Sequence, residues 1–513
     1  MKTISNFHSG IADDKYSGGI GEFAITKQFD ILTYPNRLQP LRVMTADTAN
    51  TGIGNIQLFS DGLLYGVGLN SANSRLWQRS GYGASDVWQH IPTTDQIGGA
   101  APAYNLLVEY ADVGSSRTIF WAETNVIRIG DKLGGSASAS NSLTFTNIGQ
   151  GFVHPKDKIL YIPYDNKITL NNAGTWNGGA TIGSGTPTAA FTLPAQYQIP
   201  CLTNYGNYLA IPSFTAFGTG VNGSMVYLSD RDTSQTTFAE SINWGQGQLK
   251  VLNNLDGVLI GISMTAPTPG GNANQDSASI QIKGYSGGTE PFPIKELIAQ
   301  HLPAISVPVV TINQRVNFVY KNRLYFSVNI VPTDGISDSY YGLFSVGKNK
   351  VNGRYTVVLE RMATQDGSET GVIAAAIIGD FVSMCHTAVG TLTCTANGAA
   401  QYGATSVYES VVNPEMPETE KTLKKQLMSV MVNTLPLTSG QQVVMKYRVD
   451  TTGAWITVFT KTSTSPDTNL VFYHSQKPAS GQFTAGTNIE FRLESTGGAV
   501  ITSFGYNYNI LLI

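Results

Sequence analysis

The sequence predicts an all-β protein, a β-propeller of about seven blades followed by a small β-sandwich. Three observations predict it. A phrase of apolar strand, tight polar turn and second apolar strand recurs, loosely spelled, up to residue 412. Charged residues make up only 13% of the 513-residue chain, while glycine is abundant at 54. The texture of the chain then changes after the Pro-bearing, acidic step at 411–417.

The clearest copies of the phrase are 56–68 (IQLFSDGLLYGVG), 152–163 (FVHPKDKILYIP), 200–212 (PCLTNYGNYLAIP), 249–262 (LKVLNNLDGVLIGI) and 316–328 (VNFVYKNRLYFSV). Weaker copies are 118–130 (TIFWAETNVIRIG) and 372–384 (VIAAAIIGDFVSM). Asp61-Gly62, Asp256-Gly257 and Lys321-Asn322 supply residues that tolerate positive φ at a short hairpin turn. Leu63, Tyr65, Leu259 and Phe326 would then alternate between sheet faces and pack on neighbouring blades. The second strands recur at roughly 33 to 65 residues, against about 40–50 for a four-stranded blade. Stacked solenoid rungs are shorter and stricter, so the uneven spacing favours blades with loops between them. The surplus lies in aperiodic Gly/Ser/Thr/Asn stretches at 131–147, 173–190 and 265–279.

Helix is scarce. Residues 293–301 (PIKELIAQH) read as two surface turns, and 418–432 (ETEKTLKKQLMSVMV) read as helix in the first half and strand in the second. The last hundred residues hold strands at 441–449, 454–460, 488–494 and 500–512 joined by Gly-bearing turns, the pattern of a sandwich. The division expected is therefore 1–415 for the propeller with an N-terminal extension, and 416–513 for the sandwich.

Net charge is −3 and no block of Lys or Arg stands out, so dedicated nucleic-acid binding is not expected. No run of about 18 apolar residues suggests a membrane span, and the amino terminus lacks the apolar core of a signal peptide. Cys201, Cys385 and Cys394 make no disulfide framework. Cys385 and Cys394 flank a turn and could share adjacent strands, but buried thiols are expected. The six His residues lack metal-ligand spacing, and no catalytic, cofactor or metal site is predicted. Adjacent carboxylates occur at Asp13/Asp14 and Asp230/Asp232, but glycosidase chemistry needs two carboxyls converging across a cleft. Trp77, Tyr82 and Trp88 cluster around a Gly-rich turn and are the candidate glycan or interface aromatics; saccharide surfaces stack sugars on such rings, but core or interface packing is the favoured reading. The segments 172–176 and 450–455 resemble, with altered spacing, the Asp–Gly–aromatic turn of sialidase-type propellers, which is structural.

The string Gly18-Gly19-Ile20-Gly21-Glu22-Phe23, followed by Phe29-Asp30-Ile31 and Thr33-Tyr34-Pro35-Asn36-Arg37-Leu38, resembles the opening of tailed-bacteriophage virion proteins. Near the other end, a Lys-rich strand at 420–427, the hairpin of Tyr447 to Asp450 with Gly453 and Trp455, and Phe491-Arg492-Leu493 are similar to the sandwich that ends many of them. The resemblance implies a structural tail component: a nozzle, tail-tip or receptor-binding part. It would be made in the host cytoplasm, incorporated into the virion, and bound to copies of itself and other tail proteins, with a host receptor or glycan as a further partner. Two alternatives compete, a propeller glycosidase or lyase acting on host glycans and a non-enzymatic adhesin.

Overall fold

The computed structural model describes residues 2–12, 16, 18–70, 73–83, 86–91, 102–113, 116–123, 126–131, 139–215, 223–233, 238–265, 279–298, 308–332, 340–362, 369–388, 391–397, 405–450, 454–463, 469–473 and 483–511. Within them the chain forms seven antiparallel propeller sheets and a two-sheet sandwich. Blade 1 runs from Ile53–Leu58 to Trp88–His90, blade 2 from Pro102–Val113 to Ala139–Ser142, and blade 3 from Phe152–Val153 to Thr175–Trp176. Blade 4 runs from Tyr197–Gln198 to Glu240–Gly245, blade 5 from Gln248–Leu255 to Phe292–Ile298, and blade 6 from Pro308–Tyr320 to Tyr355–Met362. Blade 7 takes Glu369–Ile378, Phe381–Ala388 and Thr391–Ala396 from late in the chain and its outermost strand, Thr45–Thr51, from the beginning. That borrowed strand closes the ring, and the innermost strand of blade 7 packs on that of blade 1. The buried pair of Arg79 with Asp47, 2.9 Å apart, fastens blade 1 to the closing strand.

The recurring phrase is the first hairpin of six blades. In blade 2 it is displaced: residues 118–130 form the second hairpin, because Pro102–Val113 precedes it as the innermost strand. Tight turns fall where positive φ is available, as at Asp256-Gly257 between the paired Leu255 and Val258, and at Lys321-Asn322 between Tyr320 and Arg323.

Blade strands are apolar on consecutive residues because both faces are buried, each against a different neighbour. Leu160 and Ile162 of blade 3 pack with Leu106 and Phe120 of blade 2, while Tyr161 between them packs with Leu209 and Ile211 of blade 4. Leu324, Phe326 and Val328 of blade 6 meet Ile260 and Ile282 of blade 5, and Tyr325 meets Ile377 and Met384 of blade 7. The residues at each seam alternate with period two, as strand geometry requires.

The sandwich draws on both ends of the chain rather than on 416–513 alone. One sheet orders Lys2–Ile4, Ile501–Ile510, Lys425–Thr434 and Asn469–Tyr473; the other orders Gly10–Ile11, Glu22–Lys27, Ser406–Ser410, Ile489–Thr496, Gln442–Val449 and Ile456–Thr462. The N-terminal extension is thus sandwich strand, because Phe23 and Ile25 complete a core with Tyr408, Phe491 and Phe504 that the C-terminal strands leave open. Two further expectations change. Residues from Phe292 to Ile298 form the outermost strand of blade 5, not helix, paired along Ser279–Tyr285. Cys385 and Cys394 are not free thiols: they face each other in register, with Cα atoms 4.2 Å apart, and form a disulfide. Residues 418–432 divide as read, with a helical turn at Glu418–Lys421 before the strand Lys425–Thr434.

Candidate functional site

Innermost strands converge on the propeller axis, where they are too close for large side chains on every position. Amide side chains link them instead. Asn55 Nδ2 donates to the Tyr104 carbonyl at 2.6 Å, Asn253 Nδ2 to Asn317 Oδ1 at 3.0 Å, and Asn317 Nδ2 to the Leu252 carbonyl at 3.2 Å. Each bond joins one blade to the next, so the hub is held by directional contacts.

Register shifts interrupt several innermost strands, and in blades 5 and 6 a cation sits on the bulge. In blade 5 the register passes from Leu249 opposite Ser263 to Val251 opposite Ile262, which leaves Lys250 as the extra residue. In blade 6 it passes from Asn313 opposite Ser327 to Asn317 opposite Phe326, so Gln314, Arg315 and Val316 are extra. A bulge re-aims the side chain it carries. Val316 is buried in the seam with blade 7, whereas Lys250 and Arg315 line a cavity of about 310 Å³ at the hub.

Arg315 reaches across the axis. Its Nε donates to Asn105 Oδ1 of blade 2 at 3.0 Å and its Nη1 to the Gly54 carbonyl of blade 1 at 2.8 Å, with the guanidinium 5.4 Å from the centre of the Tyr104 ring. Burial lowers its pKa to about 10, partly offset by Tyr104. The Lys250 ammonium lies 3.8 Å from the centre of the Phe214 ring, and no carboxylate or hydrogen-bond acceptor partners it among the described residues. Burial pushes its pKa down to about 8. Asn105, Gln198, Asn313 and Gln314 add amides to the lining, which contains no carboxylate. A chamber of this kind attracts anions and hydrogen-bonds to hydroxyls.

The aromatic candidates lie elsewhere. Trp77 and Trp88 are 8% and 2% exposed, in the seam of blade 1 with Ala374, Phe381 and Cys385 of blade 7. Tyr82 packs on the same seam, its ring 5.4 Å from that of Phe381. The two indoles are buried in the closing seam and offer no open face to a sugar, while Tyr82 is partly buried against it. Asp230 and Asp232 belong to a turn in which Asp230 Oδ1 accepts from the Asp232 amide at 3.1 Å, while Arg231 between them binds Asp157 of blade 3 at 2.8 Å. Asp13 and Asp14 lie outside the described residues. Among the described residues no three His, Cys, Asp or Glu side chains group to hold a metal, and no helix is long and apolar enough to cross a membrane.

Lys250 and Arg315 went unremarked in the sequence. The available signal was isolation: each is a lone charge inside an otherwise uncharged strand, Gln248–Leu255 or Pro308–Tyr320, in a chain poor in charge.

No family model matches this chain, and no curated protein does. Among solved structures it is similar to the β-propeller domain of Cps50 (Swd1) from Myceliophteria thermophila, at 9% identity and a TM-score of 0.41, over 69% of this chain and 99% of that one.

Proposed function

We propose that this chain is a structural component of a bacteriophage tail, a nozzle, tail-tip or receptor-binding part, that works by assembly with copies of itself and with other tail proteins rather than by turnover. One observation carries the reading. The motifs that resemble tailed-phage virion proteins come from opposite ends of the sequence, yet Glu22-Phe23, Tyr447–Val449 and Phe491–Leu493 fall on one sheet, and the Lys-rich segment enters the facing sheet of the same sandwich. Glu22–Lys27 pairs with Ser406–Ser410, which pairs with Ile489–Thr496, which in turn pairs with Gln442–Val449. Segments that independently resemble one family and meet in one sandwich favour a shared domain over chance likeness. A closed ring whose seam is fastened by strand pairing and a buried ion pair also suits a part that must hold shape under load.

The test is compositional analysis of purified particles of a phage that encodes the chain, with labelled antibody to locate it. The expected result is a fixed copy number per particle and label at the tail. Detection in the infected-cell lysate but not in particles would overturn the proposal. Release of sugars from host-surface polysaccharide by the purified chain would replace it with the enzymatic alternative.

A further inference from the structure

We propose that the hub cavity of the propeller is a binding site for a small carboxylate- or phosphate-bearing anion, with Lys250 and Arg315 as its cationic ligands. The proposal stands apart from the tail reading and holds or fails independently of it.

The site is built by the fold. Both cations are placed by bulges, which recur on the innermost strands of this ring, and in blades 5 and 6 the bulge carries a charged side chain that lines the hub cavity. Other cations at the blade seams are neutralised: Arg79 by Asp47, Arg231 by Asp157, and Arg323 by Asp30 and Glu360. The hub cations are not. An ammonium has three donors, and among the described residues those of Lys250 meet only the Phe214 ring. Arg315 commits Nε and Nη1 to Asn105 and Gly54, which fixes the plane of the guanidinium and leaves Nη2 without a protein acceptor among the described residues. Withdrawing a charge from water without a counter-charge is unfavourable, and such arrangements concentrate at ligand sites.

The lining selects the ligand class. Two cations and no carboxylate reject metal ions and favour anions. The amides of Asn105, Gln198 and Asn313 both donate and accept, so a hydroxyl-bearing anion finds partners for its neutral part as well. A volume of about 310 Å³ admits a small molecule of the size of citrate or a sugar acid.

The experiment uses the purified full chain and isothermal titration with inorganic phosphate and, separately, citrate at neutral pH and moderate salt. Saturable binding with one site per chain is expected for at least one of them; phosphate alone, citrate alone or both would assign the preferred head group. Lys250→Met and Lys250→Gln are both expected to weaken that binding at least tenfold while retaining the wild-type circular dichroism spectrum. Two results would overturn the proposal: no saturable binding of either anion, or affinity unchanged in both folded variants.

Discussion

The propeller hub and the seam between propeller and sandwich treat buried charge in opposite ways. At the seam, Arg323 of blade 6 reaches Asp30 of the N-terminal segment at 3.2 Å and Glu360 at 2.7 Å, and Lys295 of blade 5 reaches Glu22 at 3.2 Å. Asn349 Nδ2 and Thr356 Oγ1 of blade 6 add hydrogen bonds to the His8 carbonyl. There, charge positions one domain on another, and each cation has its acid. At the hub, Lys250 and Arg315 line one cavity and neither has an acid among the described residues. The difference separates two uses of the same chemistry: a paired ion fixes geometry, whereas an unpaired one leaves interaction free energy available to something that binds.

The largest test of that contrast is Arg323→Ala. It strands Glu360, which is 5% exposed, and also releases Asp30 and its neighbour Thr33, whose hydroxyl the guanidinium meets at 2.6 Å. Removing one partner of a buried pair costs about 3–5 kcal/mol, because the other charge remains buried. Urea denaturation should show that loss as a lower midpoint; a loss under about 1 kcal/mol would mean that water already screens the seam. A smaller effect is expected within blade 7, where the bridge joins two neighbouring strands. Serine at both Cys385 and Cys394 opens a bridge of sequence separation 9 and should cost about 2–3 kcal/mol by the loop-entropy argument. Thermal unfolding of the double variant against the oxidised wild type measures it.

How much of this was legible in the sequence follows from which contacts are local. The hairpin phrase was readable because strand, turn and strand are contiguous and because burial on both faces makes the strands apolar at every position, as in Leu160-Tyr161-Ile162. Blade 2 was read one strand out of phase because both its hairpins are apolar. The segment beginning Pro293-Ile294-Lys295 reads as helix from its Lys, Glu and Leu content, and pairing along Ser279–Tyr285 overrides that weak preference. Partners distant in sequence were invisible: nothing local to Phe23 announces Tyr408, and nothing local to Thr45–Thr51 announces blade 7. The candidate cavity fell in the same class. Lys250 and Arg315 are visible as isolated charges, but their convergence depends on two bulges and the closure of the ring. Core or interface packing is the favoured reading of Trp77 and Trp88, and they pack in the seam, although aromatic clustering in sequence is the same whether the rings face solvent or a neighbouring blade.

The hub then offers the opposite sign of effect to the seam. The Lys250 pKa is lowered by burial from its ordinary 10.5 to about 8, with no carboxylate to offset it, so the folded state disfavours the charged form. At neutral pH the lysine therefore subtracts stability, by about 3 kcal/mol at most. Lys250→Met keeps the aliphatic stem and removes the charge, and should stabilise the chain by about 1–3 kcal/mol at pH 7. The pH dependence fixes the cause. Between about 8 and 10.5 the unfolded chain still binds the proton that the folded chain has released, so wild-type stability rises through that window. The variant lacks this contribution, and its advantage should shrink as pH rises and vanish above the ordinary lysine value. Among the described residues Lys250 and Arg315 are the only charged side chains lining the cavity, and Arg315, at about 10, titrates later than Lys250. Urea midpoints of both proteins at pH 7 and pH 9.5 decide the matter. A variant less stable than wild type at pH 7 would place Lys250 with Arg323, as a charge that holds the fold together, and the contrast between hub and seam would be gone.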